Sequence, residues 1–201
     1  MQTFFEIAVS GGLTVLRLRS DDGINRVTRD CVAALTAALG GLAREAKPLV
    51  IAGNRRFYSA GADLAEIAAL NGPAARDFSR MGQCLMNAIE HFPVPVYAAV
   101  EGYCVGGGLG LALACHRRIA SPRAIFGHRG AALGLITGWG GTQRLSRLIG
   151  KGRSLAMLVA AEKIHAHEAK RIGLVDAVVD DPIAESVTLI EAQIRATHGL
   201  A

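Results

Sequence analysis

Residues 102 to 118 read GYCVGGGLGLALACHRR: three consecutive glycines, another two residues later, and then an apolar run of helical character. That much backbone freedom ahead of a helix predicts a main chain that must approach something closely. A second glycine bend leads into a helix in GNRRFYSAGADLAEIAAL (53–70). Each bend follows a short apolar strand, Lys47 to Ala52 in one case and VPVYAAVEG (94–102) in the other. The device therefore occurs twice: buried strand, glycine turn, helix start.

Alternating strands and helices predict an α/β fold. At a helix start the first N–H groups have no acceptor in their own helix and the positive end of the helix dipole lies behind them. Two such groups converging on one point make an oxyanion hole, where one donor is worth about 3 kcal/mol to a transition state gathering negative charge on oxygen. Glycines also cluster where a helix packs tightly on a strand, and the residues alone leave both origins open. Two phosphate-binding readings are excluded. Leu111 breaks G-x-G-x-x-G after Gly106 and Gly108, and Gly150-Lys151-Gly152 lacks both the leading glycine (Leu145) and the Ser or Thr (Gly152) of a phosphate loop.

The remaining elements read from local signals. Phe4 to Val9 and Leu13 to Leu18 form a strand pair about a Ser10-Gly11-Gly12 turn. Thr28 caps a helix with Val32, Leu35, Leu39 and Leu42 on one face, and a further helix spans roughly Ala74 to His91. YCVGGGLG reads as a glycine bend with no strand of its own. Asp181 and Pro182 are N-cap and first residue of a last helix, with Ile183, Val187, Ile190 and Ile194 on one face and a stop near Gly199. That apolar face is expected to pack on its own subunit or a neighbouring one.

A chain of 201 residues with 51% hydrophobic and 19% charged residues fits one globular domain. Four cysteines without paired spacing fit a reduced, cytoplasmic protein. The N-terminus has no basic region ahead of an apolar one, so no signal peptide is expected, and the apolar stretch 94–115 is too interrupted to span a membrane. The formal charge of +5 is concentrated between His116 and Arg171, where eleven Lys and Arg face only Glu162 and Glu168. Few aromatics interleave there and no nucleic-acid motif is present, so no nucleic-acid partner is expected. The basic face suits an anionic small molecule or simply solvent.

Taken together, RRFYSAGADLAEI (55–67), PVYAAVEGYCVGGGLGLALAC (95–115), AIFGHRGAALGLITGWGGTQRLSRLIGKGRSLAMLV (124–159) and KIHAHEAKRIGLVDAVV (163–179) resemble the crotonase superfamily, the enoyl-CoA hydratase/isomerase group. The resemblance covers nearly the whole chain. It implies a crotonase-like spiral of repeated β-β-α units over residues 1–180, a short C-terminal helix over 181–201, and a single domain. It also implies an acyl-coenzyme A ligand, with no separate cofactor, and a homotrimer or hexamer. Family members usually continue into further C-terminal helices, so the short C-terminal segment bears on that assembly.

Residue by residue, the resemblance assigns the Ala62 N–H and the Gly107 N–H to the oxyanion hole, where they stabilise a thioester enolate. Arg56 falls near the CoA phosphates, and Ala60, Asp63 and Leu64 cradle the adenine. Hydratases of this family carry one glutamate two residues after the glycine triplet and a second shortly after the next FG, and those positions are Gly110 and Gly130. A general acid or base contributes roughly 10²–10⁴-fold, and glycine supplies neither. His128 is the candidate replacement, since a histidine titrates near neutrality; Asp63, Glu66 and Glu101 are weaker ones, with Glu66 expected on a solvated helix face. Within the superfamily, dihydroxynaphthoyl-CoA synthase has a similar FG-x-x-G stretch in which bicarbonate takes the place of the carboxylate, so an anion held by Arg129 is a further expectation. Isomerisation, decarboxylation or thioester hydrolysis then fits better than hydration, with a non-catalytic acyl-CoA-binding protein as the alternative. His165 and His167 are expected as capping or surface residues without a metal. Trp139 is placed near the acyl pocket, where it either shapes that pocket or simply packs.

Overall fold

A computed structural model describes residues 3–10 and 12–198, so Gly11 of the expected turn and Gly199 at the expected helix stop lie outside the described residues. Strands β1 (Phe5–Ser10) and β2 (Leu13–Leu18) form the antiparallel hairpin, followed by β3 (Arg26–Val27). Helix α1 (Arg29–Glu45) starts at Thr28, whose hydroxyl accepts from the Cys31 N–H, and buries Val32, Leu35, Leu39 and Leu42 as their spacing requires. Then come β4 (Leu49–Ala52), β5 (Phe57–Ser59), β6 (Gly61–Ala62), α2 (Leu64–Ala68) and α3 (Gly72–Glu90). The next turn of the chain is β7 (Val96–Val100), β8 (Tyr103–Val105) and α4 (Gly107–Ala114). It continues with β9 (Arg117–Ala120), β10 (Ile125–Gly127), a 3-10 turn (Ala131–Leu133), α5 (Gly141–Ile149) and α6 (Lys151–Val159). β11 (Lys163–His165), α7 (Ala166–Arg171), β12 (Ala177–Val178) and α8 (Pro182–His198) complete it.

The main sheet has the order β1-β2-β4-β7-β9-β12, parallel except for the first pair. A second sheet runs β11-β10-β8-β5, and β3 pairs with β6 alone. The turns starting at β4, β7 and β9 each lay one strand in the main sheet and the next in the second sheet, and return through helix. This is the crotonase-like α/β spiral. The stretch read from sequence as a bare glycine bend contains β8, which pairs with β5 and β10. Three residues are too few to show a period, and only the second sheet makes them a strand.

The central strands are buried on both sides, and their two-residue alternation divides them between two cores. Leu49, Ile51, Val96, Ala98 and Val100 face α1, α3 and α4 in the larger core. Val50, Ala52, Tyr97, Ala99 and Ile119 face the other way, where α8 covers them with Ile190 and with Ile183, Val187 and Ile194. The apolar face of the last described helix is thus used within its own chain. Asp181 caps that helix, its carboxylate accepting from the N–H groups of Ile183 and Ala184 at 3.1 and 3.0 Å. Among the described residues no helix is long and apolar enough to cross a membrane.

Candidate active site

The two glycine bends meet. Gly61 stands at φ +87°, a left-handed value that favours glycine, and a Cβ there would lie 2.7 Å from the Gly107 nitrogen and 2.8 Å from the Val105 carbonyl oxygen. A Cβ on Gly107 would in turn lie 3.2 Å from the Ala62 nitrogen. The main chains of Ala62 and Gly107 are therefore neighbours, as required for two donors serving one oxygen. The first intrahelical bond of α4 runs from the Gly110 N–H to the Gly106 carbonyl at 3.0 Å, so Gly107 opens the helix ahead of any acceptor within it. Gly106, at φ +55°, forms the turn itself and donates to the Gly127 carbonyl at 3.0 Å, which ties the bend to β10.

Each glycine of the triplet has its own reason. Gly106 makes the turn. A Cβ on Gly108 would meet Ser59 at 2.6 Å, and a Cβ on Gly107 would lie 2.5 Å from Cζ3 of Trp139. The same indole fills the space where Gly82 of α3 would carry a Cβ. Trp139 is buried, its Nε1 donates to the Phe78 carbonyl at 3.3 Å, and its ring meets Phe78 edge-on at 5.2 Å. The Gly138 carbonyl before it accepts from Ser79 Oγ at 2.8 Å and Gln83 Nε2 at 2.7 Å, and Arg144 holds the Trp139 carbonyl at 3.2 Å. The indole lies directly against the Gly107 Cα. Trp139 packs, and it does so against the start of α4 at Gly107.

The two positions where hydratases of the resembling family carry glutamate differ sharply. Gly110 is buried one helical turn beyond Gly107, and a Cβ there would meet only Met86 Cε, at 3.9 Å. Gly130 is closed off: its carbonyl accepts from Leu133 and Leu135 N–H groups at 2.9 and 2.8 Å, and a Cβ would lie 3.0 Å from the Leu135 carbonyl oxygen. An oxygen facing that direction offers an anion no donor, and Arg129 beside it is exposed. His128 is 6% exposed with Nε2 unpartnered, and burial lowers its pKa below the usual histidine range. Its Nε2 lies 3.6 Å from the Cβ direction of Gly141, so the ring faces the start of α5.

The residues expected near CoA run from the turn before β5 to the start of α2. Arg56 is exposed with its guanidinium 5.4 Å from the Phe57 ring centre, and the Ala60 N–H donates to the Ile24 carbonyl at 3.1 Å. Asp63 caps α2 by accepting from Ala65 and Glu66 N–H groups, and its carboxylate stands 3.6 Å from Arg26 Nε. Leu64 leaves 53% of its surface exposed, an apolar ledge beside these polar groups. Glu66 departs from the expectation of a solvated face: it is half-buried and accepts from the Arg29 N–H at 2.9 Å, serving the start of α1. Burial pushes the thiols of Cys31 and Cys115 up to about 12, which removes them as thiolate nucleophiles. His165 and His167 are both exposed.

The family model described as "Enoyl-CoA hydratase/isomerase" matches residues 8–196. The chain belongs to the enoyl-CoA hydratase/isomerase family. It is 40% identical over 194 residues to the crotonyl-CoA hydratase of Syntrophomonas wolfei, covering 94% of this chain and 74% of that protein. It is 36% identical over 174 residues to the short-chain-enoyl-CoA hydratase of Clostridium acetobutylicum, covering 85% and 66% respectively. The chain therefore spans only 66 to 74% of the length of these relatives. Among solved structures, an enoyl-CoA hydratase from Bacillus anthracis superposes with a TM-score of 0.89 at 32% identity, covering 94% of this chain and 76% of that one.

The two glycine bends were legible from the sequence motifs, whereas the packing around them was not. Gly82 as a seat for the indole carries no local signal, since Trp139 lies more than fifty residues away, and Arg144, which holds the Trp139 carbonyl five residues back, is itself fixed by Glu90, 54 positions away.

Proposed function

We propose that this chain binds an acyl-CoA thioester with its carbonyl oxygen between the Ala62 and Gly107 N–H groups, and that it works by stabilising the enolate formed there. The observation that carries the reading is the adjacency of those two main-chain segments beside a site with glycine at both glutamate positions. Decarboxylation asks least of such a site. The bond from the α-carbon to a carboxylate breaks, its electron pair moves into the thioester carbonyl, and the resulting oxyanion sits in the hole. Carbon dioxide leaves, and the enolate carbon takes a proton from solvent or a nearby donor. No base is consumed, so two donors worth about 3 kcal/mol each supply much of the rate. Hydration needs water activated on one side and a proton delivered on the other, which glycines at 110 and 130 do not provide. Arg56, Asp63, Ala60 and Leu64 are the side of the site that meets the nucleotide end.

The test is carbon dioxide release from a malonyl-type CoA thioester by the wild-type chain and by Ala62→Pro, which deletes one donor. Release that falls about 10²–10³-fold in the variant supports the reading. Tight binding of CoA thioesters with no release would replace it with a non-catalytic acyl-CoA-binding role.

A further inference from the structure

Helices α3 and α5 leave a cavity of about 270 Å³ between them, lined by polar side chains from both sides. On α3 these are Gln83, Asn87 and Glu90, one helical turn apart in sequence. On α5 they are Gln143, Arg144 and Arg147, with the first two one turn before the third. Facing helices ordinarily meet through apolar residues at that spacing. The hydrogen bonds within this cavity leave it rich in donors. Arg144, whose side chain is only 10% exposed, pairs with Glu90 Oε2 and donates to Asn87 Oδ1 at 2.8 Å. Because arginine only donates, that bond turns the Asn87 amide so that its Nδ2 is free to donate elsewhere. Gln143 Oε1 accepts from the Thr142 hydroxyl at 2.8 Å, which leaves Gln143 Nε2 free as well. Arg147 is exposed, and among the described residues its side chain forms no ion pair and no hydrogen bond. Two acceptor oxygens stand against these donors, Gln83 Oε1 and Glu90 Oε1, and the second belongs to a carboxylate that Arg144 already neutralises. Two arginines and one glutamate leave the lining with a net positive charge.

We propose that this cavity binds a phosphate group, free or as a monoester, held by Arg147 together with the Asn87 and Gln143 amides. Three separate donors on two helices suit a tetrahedral anion with several acceptor oxygens better than a carboxylate with two. The site shares no residue with the Ala62 and Gly107 pair and does not depend on the acyl-CoA reading. Its occupant would bridge α3 to α5 next to the Trp139 loop, since Gly140 also lines the cavity and Arg144 holds the Trp139 carbonyl at 3.2 Å.

The experiment is calorimetric titration of inorganic phosphate and of glycerol 3-phosphate at fixed ionic strength, with sodium chloride as the control. The chains compared are wild type, Arg147→Gln, Arg147→Lys and Arg56→Gln. Saturable binding of at least one probe is expected, at about 1 mM or tighter, and the tighter of the two distinguishes a free ion from a monoester. Arg147→Gln is expected to weaken it about tenfold, as loss of a charged hydrogen bond does, and Arg147→Lys to keep part of it. Arg56→Gln, on the side expected to meet CoA, leaves it unchanged. No binding of either probe up to about 10 mM overturns the proposal. So does binding that survives in Arg147→Gln. Loss in Arg56→Gln overturns it too, because the anion then sits where the nucleotide end is expected. Arg147 is exposed, so its replacement tests the contact and not the fold.

Discussion

The hole and the pair of positions beside it are both built from glycine, yet for opposite reasons. At Gly61, Gly107 and Gly108 a Cβ would strike backbone, the Trp139 ring or Ser59. Glycine there lets two main chains and an indole approach, and the close fit fixes the Ala62 and Gly107 main chains in place. At Gly110 the nearest atom to a Cβ is 3.9 Å away, which is ordinary contact. Glycine at that position is not demanded by packing. Gly130 lies between these cases, with the Leu135 carbonyl at 3.0 Å. The two bends are held by close packing, while positions 110 and 130 carry no side chain.

The comparison is most easily broken on the packed side. Gly61→Ala combines a left-handed backbone with two short main-chain contacts, and is expected to cost about 3 kcal/mol or more of stability and to abolish activity. Thermal unfolding checks it; a variant with wild-type melting temperature and turnover would show that the bends do not interlock as described. Trp139→Ala removes a buried ring and is expected to cost about 3 kcal/mol. Gly107→Ala alone should also destabilise, yet much less in the Trp139→Ala background, because the ring that blocks its Cβ is gone. A double-mutant cycle with coupling of about 1 kcal/mol or more is the expected result, and additive losses would contradict the contact.

The open side predicts smaller changes of opposite sign. Gly110→Ala relieves a glycine inside α4 and is expected to stabilise by about 0.5–1 kcal/mol. Gly130→Ala forces the Leu135 carbonyl to move and is expected to destabilise by about 1 kcal/mol. For a chain of this length that separates the two melting temperatures by roughly 4 °C or more. The smallest effect is one of pH. Burial lowers the His128 pKa, so the unfolded chain takes up this proton before the folded one does. The stabilising contribution is complete above about pH 6.5 and is lost as the pH falls below it. His128→Gln is expected to flatten that part of the stability profile measured by denaturant titration.

Much of this was legible in the sequence, and the limit has a physical basis. Thr28, Asp181 and the apolar face of α8 announce their elements because caps and helical periods are local. The two glycine bends were legible because each motif marks a helix start. Tyr103 to Val105 gave no strand signal in three residues, and only pairing with β5 and β10 defines it. The fit of Trp139 between Gly82 and Gly107 joins three separate segments, so no window of sequence contains it. Glu66 looked solvated by its place on a short helix, and its partner Arg29 lies 37 positions away.

The most direct test of the central claim, a formed oxyanion hole without the acid and base of hydration, is turnover of crotonyl-CoA by the purified chain, followed by loss of the conjugated-enone absorbance with Ala62→Pro as control. Crotonyl-CoA is expected to bind and not to be hydrated at a rate distinguishable from the control. Robust hydration abolished by Ala62→Pro would contradict it, and would mean that another group does the work of both missing glutamates.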